Sequence, residues 1–257
     1  MPATRRRWLS GLAAAAGGAM LSACDKLTMN PGVQKTLASA EGLTRRAQRL
    51  VTNRTALAAE FPESQISPDF RANGSTAPGD PEYRALVDRG FADWRLVVDG
   101  LVERPLSLSL AELRAQPART QITRHDCVEG WSAIGKWSGA RLGPLLDKAG
   151  LKGEARYIVF HCADTLDPNA PAALGRYYES IDLIDAYHPQ TILAYEMNNA
   201  PLDVKFGAPA RLRVERQLGY KHAKYVMRIE AVADFAHLGG GKGGFWEDRG
   251  YEWYAGI

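Results

Sequence analysis

One of the three cysteines in the chain, Cys127, stands in a setting that suits chemistry better than packing. It falls in the run QITRHDCVEGWSAIGK, residues 121–136, where Arg124, His125 and Asp126 lead into the thiol and Gly130 and Trp131 follow it. A strand-like stretch over 121–124 delivers the sulfur into a turn closed by Gly130 and Trp131. A thiolate is a soft ligand and a nucleophile, and the deprotonated form is the one that acts. Cationic neighbours such as Arg124 and His125 favour either role, and composition alone leaves both open. Trp131, Lys136 and Trp137 follow the cysteine as a pocket wall or, for the tryptophans, as core.

Other chemistries find no support. The five histidines, His125, His161, His188, His222 and His237, show no metal-ligand spacing among themselves, and there is no C-x-x-C-H haem site. No Ser-His-Asp order stands out, Gly130-Trp131-Ser132 lacks the nucleophile-elbow pattern, and no phosphate-binding P-loop occurs. A net charge of +3 over 257 residues, without a Lys/Arg block beyond the N-terminus, points away from a nucleic-acid partner. Apolar residues make up 46% of the chain, enough for a substantial core in one large domain or two small ones.

The stretch around Cys127 resembles the cysteine loop of the sulfite oxidase family of molybdenum enzymes, most of all its bacterial methionine-sulfoxide-reductase catalytic subunits. In that family the matching cysteine binds the molybdenum of a molybdopterin cofactor, so the resemblance implies that Cys127 is both metal ligand and catalytic residue. Phe206-Gly207-Ala208-Pro209-Ala210-Arg211-Leu212 resembles the family's G-A-P-x-R-L motif. Gly219-Tyr220-Lys221-His222-Ala223-Lys224 resembles its glycine-aromatic-lysine-x-x-lysine loop, and both motifs lie at family spacing downstream of the cysteine. A pterin ending in a phosphate or nucleotide needs guanidinium, ammonium and backbone donors from separated segments. Arg211 and Lys224 are the expected anchors, with the backbone of His222 and Ala223 beside them and backbone contact from Phe206. Phe70-Arg71-Ala72-Asn73-Gly74 resembles the family's N-terminal cofactor loop, which implies that Asn73 contacts the pterin; taken alone, Asn73-Gly74 is a turn signal. Arg124 and His125 are placed at the cofactor as the positive surroundings of the thiolate. Cys162 aligns with a cofactor-contacting position where relatives can have threonine, as a weak donor or a space filler.

Two residues depart from the family pattern. Asp126 stands where a basic residue is frequent and would repel anionic sulfite, and Phe206 stands where relatives often have histidine or asparagine. The resemblance covers residues 66–230 and implies a molybdopterin-dependent oxidoreductase performing two-electron oxo transfer, with reduction of an S-oxide or N-oxide preferred over sulfite oxidation. Alternatives from other classes are a non-enzymatic lipoprotein binding module on the same fold and a thiol redox protein using Cys127 and Cys162. A Cys127–Cys162 disulfide is the bland reading of the two thiols.

The elements that must position these residues are short and irregularly mixed. Strands are expected over 95–99, 121–124, 157–161, 191–197, 211–215 and 225–233. Ser109 and Glu112 have capping-box spacing at the start of a short helix that stops before Pro117. A helix over 142–149 is stopped by Gly150, a helical turn covers 181–186, Asn198-Asn199 is a turn, and 68–81 is loop throughout. Few helices are long enough for regular crossovers, so an α+β domain is expected, with mixed sheets and short helices as in the sulfite oxidase-like molybdopterin-binding domain. The tail, 239–257, mixes glycines with Phe245, Trp246, Tyr251, Trp253 and Tyr254 and suits a segment packed across a surface or entrance, or ordinary packing.

The N-terminus suggests a domain division at 1–23, 24–62 and 63–257. Thr4-Arg5-Arg6-Arg7-Trp8-Leu9 and the weakly apolar run 11–20 have the shape of a twin-arginine export signal, and Leu21-Ser22-Ala23-Cys24 resembles a lipobox. The alternative is an uncleaved basic anchor helix. Lipidation of Cys24, followed by Asp25, implies attachment to the outer face of the inner membrane in the periplasm. An amphipathic helix follows, carrying Leu37, Leu43, Leu50 and Leu57 between arginines and ending before Phe61-Pro62. A monomer is expected, acting on a small-molecule substrate and fed by a separate haem- or quinone-linked membrane electron carrier.

Overall fold

The sequence folds in a computed structural model that describes residues 30–51 and 53–257. The stretch expected to be an export signal, and Cys24, lie outside the described residues. A helix, α1 (Pro31–Val51), belongs to a first unit, and residues from Asn53 to Ile257 form a second unit that holds every strand discussed below. The helix stops nine residues short of the expected end, and Asn53 supplies a local reason. Its side-chain oxygen accepts from the Thr55 amide and hydroxyl, both at 3.0 Å, which offers the backbone a turn in place of another helical turn. Residues 53–60 join the second unit: Ala58 exchanges hydrogen bonds with the Gln190 side chain, and Glu60 bridges to Thr123. Among the described residues no helix is long and apolar enough to cross a membrane.

In the second unit, alternation turns Leu96 and Val98 of β1 (Arg95–Gly100) inward. This strand pairs antiparallel with β2 (Leu106–Ser109). Ser109 then caps α2 (Leu110–Arg114): its hydroxyl accepts from the Glu112 amide while the Glu112 carboxylate accepts from the Ser109 amide. Ser109→Ala is expected to lower stability by about 1 kcal/mol, measured as a shift in urea midpoint at unchanged slope.

The next hairpin carries the cysteine. Strand β3 (Ala118–Asp126) pairs over its whole length with β4 (Ser132–Arg141), from Ala118 opposite Ala140 to Asp126 opposite Ser132. Behind it comes α3 (Leu142–Ala149), ended by Gly150 in the left-handed region at φ 73°. Two sheets then complete the fold. One has the order β2-β1-β10-β5-β6, with β5 (Tyr157–Thr165), β6 (Arg176–Asp182) and β10 (Val226–Val232); its β1–β10 pair alone is parallel. The other runs β3-β4-β7-β8, with β7 (Ile192–Met197) and β8 (Ala200–Pro201), and β9 (Arg211–Arg213) also pairs with β7.

The main core joins both sheets to α3, bringing Leu96, Ile158, Phe160, Leu145, Leu193 and Leu212 into one cluster. The far side of β5 is covered as well, with Val159 packed against Tyr178 and Val232. The architecture is α+β, as the irregular mixture of elements implied. Strands β2, β4, β6 and β8 were not anticipated, and the helical turn expected over 181–186 is a helix only over Leu183–Ala186, its first two residues ending β6.

Candidate active site

Strand period decides which side chains of the cysteine hairpin face inward. Gln121, Thr123, His125 and Cys127 are buried on one side, and Arg124 is exposed on the other. Beyond β3 the chain turns tightly: the Gly130 amide donates to the Cys127 carbonyl at 3.0 Å, and the Cys127 amide donates to the Trp131 carbonyl at 2.9 Å. Gly130 takes φ 86°, a left-handed conformation that glycine adopts at no steric cost. The thiol, 7% exposed, is thereby fixed at the wall of a cavity of about 130 Å³.

The inward face corrects two expectations. Arg124 and Asp126 pair with each other at 2.9 Å outside the site, and Asp126 also accepts from the Ser132 hydroxyl. Arg124 therefore does not surround the thiol, and Asp126 sets no charge in the cavity. His125 does lie inward, yet as a neutral ring, held well below its usual pKa first by burial and then by Arg211 and its cationic neighbours. Arg213 donates to His125 Nδ1 at 3.0 Å, which leaves the ring proton on Nε2, and that atom has no partner. Burial and the Glu129 charge push the Cys127 thiol up, while the Glu129 backbone amide and then Arg71 and Arg211 pull it down. These two arginines supply the cationic field that Arg124 was expected to give.

Three other segments close the cavity. The loop over residues 70–75 contributes Asn73, Gly74 and Ser75, held in place by Lys224. The Lys224 ammonium donates to the carbonyls of Asn73 at 2.9 Å, Ser75 at 2.5 Å and Lys205 at 2.8 Å. All three of its protons are engaged, and burial followed by the Arg211 charge brings its pKa down to about 7. The turn Gly219–Lys221 and His222 form a second wall. A Cβ on Gly219 would stand 2.5 Å from His125 Nε2, so only glycine lets this turn close on the cysteine strand. His222 Nε2 donates to the Gln217 carbonyl at 3.0 Å, and its Nδ1, an acceptor in that tautomer, is unpartnered. The C-terminal tail forms the third wall through Trp246 and Tyr251, whose rings stack at 5.2 Å.

A buried ion cluster ties the second and third walls together. Lys221 donates to Glu179 of β6 and to Glu247 of the tail, each at 2.5 Å, and none of the three side chains is more than 1% exposed. Burial and the neighbouring Glu247 raise Glu179 well above the usual carboxylate range, while the two carboxylates raise Lys221 against the effect of its own burial.

Of the residues expected from the sequence, Cys127, Asn73, His222 and Lys224 line this cavity. Arg211 lies behind it, wholly buried, donating to the Phe206 carbonyl at 3.1 Å and to Asn73 Oδ1 at 3.4 Å. Ala223 is buried with its carbonyl accepting from Leu212, and Phe206 packs its ring on Phe70 at 5.7 Å, so neither side chain reaches the cavity. Cys162 belongs to the main core and is free, as is Cys127, and it does not line the cavity; Asp164, two residues further along β5, does. Trp137 is buried with Arg211 and Arg213 over its ring at 5.2 and 4.4 Å, and Lys136 pairs with Glu63. The sequence reasoning missed Asp164, Tyr177, Trp246 and Tyr251. Only the tail carried a signal, its mixture of glycines and aromatics.

Among the described residues no three His, Cys, Asp or Glu side chains are placed to hold a metal ion together. A metal at Cys127 would therefore take its other ligands from a bound group. The cavity suits such a group. Two buried polar atoms on its wall, His222 Nδ1 and Asp164 Oδ1, have no hydrogen-bond partner among the described residues, and behind the wall no carboxylate among them pairs with the Arg211 guanidinium. A thiol and unpartnered polar atoms around one cavity, with a cation behind its wall, suit a polar, anionic cofactor.

Comparison with known proteins specifies the class. Residues 84–237, which include all ten strands of the described residues, match the family described as oxidoreductase molybdopterin binding domain. The provisionally named protein-methionine-sulfoxide reductase subunit YedZ1 of Azospira oryzae is 37% identical over 252 residues, 98% of this chain and 87% of that protein. The protein-methionine-sulfoxide reductase catalytic subunit MsrP of Xanthomonas campestris is 36% identical over 149 residues, 55% of this chain and 46% of that protein. This chain thus spans about half the length of that relative. A solved structure, the sulfane dehydrogenase SoxCD of Paracoccus pantotrophus, compares at a TM-score of 0.49 and 25% identity, over 56% of this chain and 39% of that one. The chain belongs to the molybdopterin-binding oxidoreductases of the sulfite oxidase family. Its cofactor is a molybdopterin.

Proposed function

We propose that this chain is the catalytic subunit of a periplasmic reductase that removes oxygen from an S-oxide, with methionine sulfoxide as the model substrate. The observation that carries the reading is the Cys127 thiol on the wall of a cavity whose buried polar atoms lack partners. When bound, the molybdenum and its pterin supply two-electron oxo-transfer chemistry. Cys127 holds the metal, and Asn73, Arg211 and His222 hold the pterin and its phosphate. Lys224 fixes the 70–75 loop against the cofactor, and Ala223 and the Phe206 carbonyl serve as backbone supports. His125 is a positioning residue: it keeps the Gly219 turn against the cysteine strand and presents a neutral N–H.

An uncharged S-oxide is favoured over sulfite by the wall itself, since Val128, Leu166, Trp246 and Tyr251 are joined there by the acidic Glu129 and Asp164. Reduction consumes two electrons and two protons and releases a thioether and water. The electrons come from a separate haem- or quinone-linked membrane carrier, in keeping with relatives that are themselves named as subunits. The twin-arginine pattern and the lipobox ending at Cys24 support export and tethering by lipid, and a monomer remains the expected state.

The test is elemental analysis of protein produced with its signal in a molybdenum-sufficient bacterial host, followed by turnover of methionine sulfoxide with reduced viologen. About one molybdenum per chain is expected at this single-thiolate site. Cys127→Ser is expected to lose at least a hundredfold in turnover, because changes outside the ligand shell alone cost about 10–100-fold. A well-folded preparation without metal from a cofactor-competent host would sink the reading.

A further inference from the structure

Helix α1 (Pro31–Val51) lies outside residues 84–237, the part of the chain that matches the family. Its sequence is amphipathic: Ala40, Leu43, Ala47, Leu50 and Val51 recur at intervals of three and four and so share one face. An amphipathic helix of a globular domain turns such a stripe toward the core. This one is turned outward. Leu43 is 64% exposed, Leu50 86% and Val51 85%, and Ala40 and Ala47 are exposed between them. Arg46 is exposed at the edge of the stripe, while Arg45 and Arg49 belong to the other side of the helix. Over residues 42–55 the sequence has four arginines, the last being Arg54, and no Asp or Glu.

An apolar stripe with a basic flank suits a helix lying in the plane of a membrane surface, its leucines among the upper acyl chains and its guanidinium groups at the phosphates. The helix is not long and apolar enough to cross. Two further observations choose this occupant for the stripe. Seven residues separate Cys24 from Pro31, a reach of at most about 25 Å, so a lipid on Cys24 would bring the helix to the bilayer. A second copy of this chain would add the same four arginines with no acidic residue over 42–55 to meet them, whereas an anionic bilayer carries the opposite charge. We propose that α1 docks on an anionic membrane surface through Leu43, Leu50 and Val51, with the basic run over 45–54 at the lipid phosphates. The inference deepens the tethering reading and rests on it for the nearness of the membrane. Docking would hold the catalytic unit, which the chain enters at residues 53–60, beside a membrane electron carrier.

The test uses the full chain carrying Cys24→Ala, so that no lipid is attached and residues 1–23 are the same in every sample. Sedimentation with vesicles of phosphatidylglycerol and phosphatidylcholine, and of phosphatidylcholine alone, is compared for this parent, for Leu43→Gln with Leu50→Gln, and for Arg46→Gln with Arg54→Gln. Glutamine preserves helix propensity, so the variants change the face and not the helix. The leucine pair is expected to lose at least about tenfold in binding to the phosphatidylglycerol vesicles, through lost apolar burial. The arginine pair is expected to lose about tenfold on those vesicles and nothing on phosphatidylcholine alone. Parent-like binding by the leucine pair would overturn the proposal. So would a parent that is dimeric in solution and becomes monomeric with the leucine pair, which would assign the stripe to a second copy. The mass of the natural protein reads the tether separately: a mature chain without lipid on Cys24 would remove the tethering reading alone, and the vesicle result would still decide this one.

Discussion

Lys221→Met is expected to lower the unfolding free energy by about 3–5 kcal/mol, the range for removing one partner from a buried charge cluster. The side chain itself would fit, because methionine has nearly the length of the lysine stem. What is lost is the cation between Glu179 and Glu247, which meet it at 2.5 Å with all three side chains essentially unexposed. Without it the two carboxyls face each other in a dry site where Glu179 already sits well above its usual range. A carboxyl raised in the folded state binds a proton that the unfolded chain has released, so its contribution to stability is present at low pH and is lost as pH rises through the folded value. The variant should therefore be most destabilised at pH 8 and partly recovered at pH 5, a dependence that urea midpoints at the two pH values will show. The functional consequence follows from position. Lys221 ends the turn that begins at Gly219, and Glu247 follows Trp246, so one cluster holds two walls of the cavity. Loss of molybdopterin retention should accompany the loss of stability, and a variant with wild-type midpoints at both pH values would show that the cluster holds nothing in place.

The parts of this fold that were legible in the sequence are those whose causes are local. The capping box at Ser109 and Glu112, the stop at Gly150 and the turn at Asn198-Asn199 each depend on residues within a few positions of one another. Strand β4 was missed because it contains Gly135 and Gly139, which in a sequence mark turns. In the fold Gly139 is required by close approach: a Cβ there would lie 2.3 Å from the Leu193 carbonyl of β7. Strand β6 was missed because it buries Glu179, and a buried carboxylate is tolerable only through Lys221, 42 residues away. The same division applies to the site. Cys127, Arg211 and Lys224 stood in recognisable motifs, whereas Asp164, Trp246 and Tyr251 reach the cavity from elements that only long-range pairing brings together. Arg124 and Asp126 were misplaced by a failure to carry strand alternation through to the cysteine: once Cys127 faces inward, its neighbours at even positions must face out.

Arg211→Met and Arg213→Met are expected to have opposite effects on the unloaded chain, although the two residues are two apart on β9 and both are fully buried. Arg213 is paired: its Nη2 and Nε donate to the Glu215 carboxylate at 2.6 and 2.8 Å, and Gln121 donates to that carboxylate as well. Removing it strands Glu215 and should cost about 3–5 kcal/mol. Among the described residues Arg211 has two hydrogen bonds to neutral oxygens, one of them long at 3.4 Å, an unpartnered Nε and no carboxylate partner. Burial first, and Arg213 next, bring its pKa down to about 9. A base lowered in the folded state holds fewer protons there than in the unfolded chain above that value, so stability from this group rises with pH from about 9, and its full penalty is present at pH 7. Methionine removes that penalty and keeps most of the volume over Trp137. No loss of stability is expected for Arg211→Met, and a gain of up to about 2 kcal/mol, by urea unfolding of unloaded protein at pH 7. Molybdopterin content should fall at the same time if, as proposed, the anion that compensates Arg211 is the cofactor's; the field that lowers the Cys127 thiol is partly Arg211's. A residue kept at a cost to the empty protein is one whose counter-charge arrives with the ligand. An Arg211→Met chain that is destabilised by several kcal/mol yet fully loaded with pterin would place Arg211 in the scaffold with Arg213.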